Sequence, residues 1–268
     1  MRKVIVIAML ACFAMTAYGQ RKTLREMTER RLTFDLGVTN TLMLNRLFPD
    51  EVWYEDSFKR SAFGMNFKMN YRFAEKYGVW MGFDMGNDYS NDYPDREEFN
   101  LFQGYIDLGN GYAKYVNGNQ AVTGSSFSLG FFRRDWFGRW AVSVYAGWSL
   151  YMFAGGNLEF DYKKHGSNER YEVGYFWNKT RYFHGVRLAV EVKWKVWERI
   201  GIYVNVGYMQ TFDRTQFKAR ITDWYRGEVI ERISVRGRRP DNFTFSFGVS
   251  FMGSTRYPFN LLGGRRYR

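Results

Sequence analysis

The chain is poor in residues on which several kinds of protein depend. Its 268 residues include one cysteine, four prolines and two histidines. The cysteine, Cys12, lies in an apolar N-terminal stretch that reads as a cleavable leader. The chain left after cleavage would have no disulfide, no thiol chemistry and no cysteine-based zinc site. No uninterrupted run of about 18 apolar residues follows that stretch, and mean hydropathy is −0.46. A helical membrane protein is thereby excluded. A Walker A loop, a dinucleotide-binding glycine fingerprint, a zincin helix and a GxSxG elbow are all missing. No cofactor is expected.

What is present is aromatic and basic. Phe, Trp and Tyr make up 20 % of the chain, which with scarce proline favours sheet over helix. Formal net charge is +12, of which Arg2 and Lys3 belong to the leader. The leader, 1–19, has those two charges, an apolar core over 4–14 and a small-x-small site at Ala17-Tyr18-Gly19. Met9-Leu10-Ala11-Cys12 faintly resembles a lipoprotein box, but the apolar run continues past Cys12. An exported chain meets no nucleic acid, so the basic excess points to a membrane surface or an anionic partner.

Strict alternation dominates the rest. In SAFGMNFKMNYRF (61–73) every odd position is large and apolar, giving a strand one oily and one polar face. Eight segments share the pattern: 32–44, 61–73, 79–89, about 122–132, 140–153, 182–196, 200–212 and 242–252. The connections 45–60, 90–121, 154–181 and 213–241 are long; 74–78, 133–139 and 197–199 are short. This alternation predicts an all-β, eight-stranded antiparallel up-and-down transmembrane β-barrel over 32–252, with long loops outside the cell and tight turns in the periplasm. A soluble lipocalin-like barrel would show the same alternation turned inside out. The polar parity decides between them. It carries glycines, including Gly37, Gly64, Gly82, Gly130, Gly147, Gly185, Gly201, Gly207 and Gly248, together with bulky Arg72, Trp80, Tyr145, Tyr151, Arg187 and Tyr203. Small residues beside large ones suit a crowded barrel interior. Aromatic residues near the short turns (Phe73, Tyr77, Trp136, Phe137, Trp140, Trp194, Trp197) and the long loops (Tyr89, Tyr93, Trp177, Tyr182, Trp224, Tyr225) read as interfacial girdles.

The pattern resembles the outer-membrane barrels of the OmpA, OmpX and PagP type, and the porin-like class generally. NFTFSFGVSF (242–251) looks like the aromatic-ended last strand used for barrel insertion. Phe251 is not terminal, however, and the basic tail 253–268 is too short for the peptidoglycan-binding domain of OmpA. Size and pattern are also similar to barrels of the PorT group, a resemblance that implies a role accessory to secretion or envelope assembly. The expected location is the outer membrane.

Several candidate sites follow. On the lumen parity, Asp35, Asp84 and Glu191 face Lys68, Arg72, Arg187 and Lys193. A turn centred near Lys76 would set Lys68 opposite Asp84 and Arg72 opposite Trp80. Pairing makes enclosed charges tolerable. Such a network is either a plug or a gated narrow channel for small solutes. His184 sits on the lipid parity, and His165 in a loop. Lipid-modifying enzymes of the PagP and PagL kinds use a histidine with serine and an acid, but position 186 is Val where a His-x-Ser would place serine. Asp213 and Ser254 are placed by no spacing rule. The chain is therefore read as non-enzymatic. Asp88, Asp92, Asp95, Glu97 and Glu98 are oxygen ligands without EF-hand spacing, which reads as a solvated acidic loop.

TQFKARITDW and VIERISVRGRR flank YRGE, which suggests a projecting hairpin. Its Arg220, Arg226, Arg232, Arg236, Arg238 and Arg239 are candidates for lipopolysaccharide phosphate or another anionic partner, against simple solvation. A basic periplasmic rim (Arg21, Lys22, Arg25, Arg30, Arg31, Arg133, Arg134, Arg139, Arg199 and the tail) could grip headgroups or dock a periplasmic or secretion-system protein. Residues 23–31, within the short N-terminal segment 20–31, fit a capped helix.

Overall fold

The computed structural model describes residues 31–45, 61–88, 96–99, 109–177, 182–197 and 199–252. The leader, the proposed N-terminal helix apart from residue 31, the tail and most of the acidic loop lie outside the described residues.

The described residues contain twelve strands: β1 Leu32–Met43, β2 Ser61–Arg72, β3 Tyr77–Asp88, β4 Arg96–Phe99, β5 Gly111–Phe137, β6 Trp140–Lys164, β7 Arg170–Trp177, β8 Tyr182–Lys195, β9 Ile200–Thr211, β10 Gln216–Asp223, β11 Val229–Arg236 and β12 Asn242–Met252. Eight of them close a ring in the order β1-β2-β3-β5-β6-β8-β9-β12, with β12 returning to β1. Every pairing is antiparallel. Closure leaves no edge in the ring, which is what strands in hydrocarbon require, since lipid cannot satisfy a free N–H or C=O.

The oily parity faces out. Phe63 is 73 % exposed and Phe247 62 %, and Leu36, Met65, Phe131, Ile202, Val204 and Phe251 are also exposed. The lumen parity is buried: Asp35, Asn66, Lys68, Tyr145, Arg187, Glu191, Lys193 and Tyr203 all point into the barrel interior. An inverted, lipocalin-like barrel is thus ruled out. A band of exposed Phe, Val and Leu around a closed polar interior is stable only against acyl chains.

The barrel accommodates bulk by leaving gaps opposite it. Gly37 pairs with Gly248 across the β1–β12 seam, and Gly130 with Gly147 between β5 and β6. A Cβ added to Gly37 would collide with the Phe247 carbonyl and lie 2.6 Å from the Tyr203 hydroxyl. The lumen glycines therefore make room for Tyr203 and its neighbours. At the short turn between β5 and β6, Gly138 adopts φ +66° within a two-residue loop between Phe137 and Trp140, the left-handed geometry such loops demand.

At the long-loop end β5 and β6 run on well past the ring, to 27 and 25 residues. At about 3.3 Å per residue β5 would extend to roughly 90 Å, against a hydrocarbon core of about 30 Å. The two strands stay paired up to Gly111 opposite Lys164. The third long connection holds β7 on β6, and the fourth holds the hairpin β10–β11, whose β10 pairs with β7. One sheet, β11-β10-β7-β6-β5-β4, thus stands above the ring. Alternation had marked only 122–132 and 140–153, because the glycine- and asparagine-rich stretch after Ala154 breaks the pattern while the backbone pairing continues.

At the opposite, short-turn end β5 also runs further than alternation shows, which corrects the placement of Arg134. Alternation alone ends that strand near position 132 and puts Arg134 in the basic rim. The strand in fact continues to Phe137, which keeps Arg134 on the lumen parity, where it is buried. Trp224 and Tyr225 sit at the hairpin tip rather than in a girdle. At the short-turn end Trp140 stacks on Trp194 with ring centroids 5.7 Å apart, and Tyr77, Phe137 and Trp197 are exposed.

Candidate functional site: a charged lumen and a basic hairpin

The lumen charges form two linked clusters. In the first, Asp35 on β1 accepts from Lys193 Nζ at 2.7 Å and from Asn70 Nδ2 at 2.9 Å, with Lys68 Nζ at 3.5 Å. Glu191 on β8 pairs with Lys68, accepts from the Tyr145 hydroxyl at 2.9 Å, and lies 3.5 Å from both Lys193 and Arg134. Arg134 also donates to Ser143 Oγ at 2.8 Å and to the Tyr145 hydroxyl at 3.1 Å. In the second cluster Asp84 on β3 accepts from Arg187 Nη1 at 2.5 Å, from Ser126 Oγ at 3.0 Å and from Asn66. Arg187 Nη2 donates to Thr244 Oγ1 at 3.0 Å.

Tyr203 joins the two. Its hydroxyl donates to Asn66 Oδ1 at 2.9 Å, and its ring lies 5.2 Å from Lys68 Nζ. Lys68 also sits 4.6 Å from the Tyr145 ring, a contact that supports a desolvated ammonium. Trp80 and Phe132 pack on Tyr145 at 5.4 and 5.5 Å, adding apolar mass beside the network. Seven strands of the ring contribute to the two clusters: β1, β2, β3, β5, β6, β8 and β12. Tyr203 brings in the eighth, β9. Every carboxylate has at least one cation in contact, which is the condition for holding ions away from water.

Two pairings expected from the sequence are replaced. Lys68 stands opposite Gly82 rather than Asp84, and Arg72 opposite Gly78 rather than Trp80. The turn is shifted by one residue, centring the register on position 75, and a one-residue shift of the centre moves every partner by two. Asp84 therefore takes Arg187 from across the lumen, and Lys68 takes Glu191 and Asp35. Arg72 joins neither cluster; its Nη1 donates to the Glu75 carbonyl at 3.3 Å. Arg134, Tyr145, Asn66, Asn70 and Thr244 were not anticipated as network members. Carrying the β5 alternation two residues further would have found Arg134. The cross-lumen partners had no local signal.

The hairpin arginines lie at the long-loop end. Burial alternates along β10, with Phe217, Ala219 and Ile221 buried, so Lys218 and Arg220 share the opposite face. Arg220 is opposite Arg232, and Gln216 opposite Arg236. Glu172 lies 3.5 Å from Arg220. Arg226 is in the hairpin turn, where its N–H donates to Asp223 Oδ1 at 2.9 Å. The carbonyl of Arg238 accepts from Thr215 N at 3.1 Å, and that of Arg239 from Asn45 Nδ2 at 2.9 Å, tying the hairpin base to the barrel rim.

On the neighbouring strands, Arg170 Nε donates to Asp161 at 2.7 Å and its guanidinium stacks 4.0 Å from the Trp224 ring. The Asp161 hydrogen bond holds the Arg170 pKa above its ordinary value. Hydrogen bonds from Lys164 and Tyr171 hold the Glu169 carboxyl below the ordinary range, while partial burial and its bond to Glu169 raise the Tyr171 phenol.

His184 is exposed on the lipid parity and stacks on Trp148 at 5.6 Å. His165 lies in the β6–β7 turn beside an open cleft lined by Tyr112, Lys163 and Asn168. Among the described residues no three His, Cys, Asp or Glu side chains gather as a metal site.

No protein-family model and no curated protein sequence matches the chain. Solved structures do. The outer membrane protein OprG from Pseudomonas aeruginosa aligns with a TM-score of 0.51 at 12 % identity, over 84 % of this chain and 97 % of that one. Ail, the attachment invasion locus protein of Yersinia pestis, aligns at 0.43 and 10 % identity over 84 % and 99 %. The outer membrane protease OmpT from Escherichia coli aligns at 0.38 and 11 % identity over 84 % and 98 %. The OprG match shows a common fold and, at that identity, nothing finer.

Proposed function

Starting from the fold of an eight-stranded outer-membrane β-barrel, we propose that this chain is a non-enzymatic structural and interaction barrel of the outer membrane, exported by its leader. Its lumen is closed by side chains, and it works through its two ends. The observation that carries this reading is the lumen itself. Asp35, Glu191 and Lys193 are fully buried and held in place by one another. A water-filled path would leave such groups hydrated, whereas a solid plug must pair them. The sheet above the ring supplies a broad outward surface, and the basic segments at the other end supply an inward one. An accessory role in secretion or envelope assembly is one form of this activity. The position of His184 on the lipid-facing wall, stacked on Trp148, supports the non-enzymatic reading.

The test is single-channel recording in planar bilayers. The wild-type chain should give no steady conductance, and an Asp84→Ala/Arg187→Ala variant should open short-lived steps. Regular conductance from the wild type would overturn the closed-lumen reading. In that case the narrow-channel alternative takes over, with anion preference, because the two clusters hold four cations (Lys68, Arg134, Arg187, Lys193) against three carboxylates. Mass analysis of lipid A from cells with and without the protein should show no change; a new lipid A species would establish a lipid-modifying enzyme instead.

A further inference from the structure

The basic residues of the β10–β11 hairpin are arranged as a ladder, and the ladder has a foot. Arg239 and Arg238 stand at the hairpin base, held to the end of β1 through the Asn45–Arg239 bond and through Leu44 N donating to the Asp241 carbonyl at 2.9 Å. That level adjoins exposed Phe212, so it lies at the lipid boundary. Arg236 follows on β11 and Lys218 on β10, and then Arg232 opposite Arg220. From Arg236 to Arg232 the strand rises about 13 Å.

Among the described residues this face carries more cations than carboxylates. Directly opposed like charges are unfavourable in a sheet, yet Arg220 and Arg232 are opposed. Of the carboxylates on this face among the described residues, Asp161 is held by Arg170, Glu172 lies 3.5 Å from Arg220, and Glu159 stands level with Arg220 across Gly174. Among the described residues the row of cations therefore begins at the membrane surface and continues outward past two carboxylates, Glu172 and Glu159, both near Arg220.

We propose that this face binds a phosphorylated glycolipid of the same leaflet, its headgroup phosphates lying along the ladder in charge-assisted contacts with the guanidinium groups. The foot at the lipid boundary favours this source over a soluble polyanion, which would need no cations at that level. The inference rests on the outward surface being a recognition surface, as above.

The test titrates the purified full chain in neutral detergent with purified lipopolysaccharide, with the same lipopolysaccharide after dephosphorylation, and with heparin as a soluble polyanion. A Lys218→Gln/Arg232→Gln/Arg236→Gln variant should bind lipopolysaccharide about tenfold more weakly or worse and lose most of the salt dependence. A Lys114→Gln/Lys163→Gln variant, altered elsewhere on the same sheet, should stay within about twofold. Dephosphorylation should weaken wild-type binding about as much as the triple variant does. Single Arg232→Gln, expected to lose about threefold, keeps the test open if the triple variant lacks the heat-dependent gel mobility of a folded barrel. Equal affinity of wild type and variants, equal affinity with and without phosphate, or heparin bound more tightly than lipopolysaccharide would each overturn the proposal. A wild type that conducts in bilayers would sink the closed-lumen reading and leave these titrations untouched, so the two failures are distinguishable.

Discussion

Replacing Glu191 by Gln tests whether the lumen is a dry, charge-paired plug. Glu191 has no exposed side-chain surface and meets three cations: Lys68 in direct contact, Lys193 and Arg134 at 3.5 Å. Gln keeps the shape and an acceptor for the Tyr145 hydroxyl, so only the charge is lost. The first cluster then holds three cations against Asp35 alone. Breaking one side of a buried ion pair costs about 3–5 kcal/mol, because the remaining charge stays desolvated; the retained hydrogen bonds put Glu191→Gln near 3 kcal/mol on the same principle. Adding Lys68→Gln restores the charge balance and should recover part of the loss, a coupling of about 1–3 kcal/mol. Reversible urea unfolding in phospholipid vesicles, followed by tryptophan fluorescence, measures both quantities. Glu172→Gln is the control. Its partner Arg220 is at 3.5 Å, but both side chains are about 40 % exposed, so the loss should stay below about 1 kcal/mol. If Glu191→Gln costs no more than Glu172→Gln, or the double variant is no more stable than either single one, the lumen is hydrated and the plug argument fails.

Two further outcomes are expected. Phe247 lies midway along β12, exposed on the outward wall; Phe247→Arg should destabilise the folded barrel by about 2–4 kcal/mol in vesicles, and an unchanged unfolding midpoint would mean that this wall does not contact acyl chains. Glu169, in the solvent-exposed β6–β7 turn, has its carboxyl held low by Lys164 and Tyr171. The support it gives the turn should be constant from neutral pH down to the ordinary glutamate value near 4.5 and disappear as pH falls through the lowered value. An amide titration of Glu169 by NMR with a midpoint at or above 4.5 would contradict this.

Much of the barrel was legible in the chain because side-chain direction in a strand has period two. The outward and inward walls of β1, β2, β8, β9 and β12 follow from alternation alone, and the glycines on one parity identify the crowded side. The hairpin around YRGE was legible for the same reason. Boundaries were not. β5 and β6 continue beyond the bilayer because backbone hydrogen bonds do not require alternating side chains, and at its other end β5 runs on to Phe137, which puts Arg134 in the lumen rather than the rim. Register was also out of reach. A shift of the β2–β3 turn centre by one residue changed the partner of Lys68 from Asp84 to Gly82, and nothing in the turn sequence fixed that choice.

The sequence by itself determined that these strands have an oily and a polar wall, and that the polar wall carries both signs of charge. Only the tertiary structure decided which charges meet. Lys68 and Glu191 are 123 residues apart, and Lys193 and Asp35 are 158 apart. They are brought together by closing the ring and fixing its stagger, a property of all eight strands at once that no local run of residues encodes.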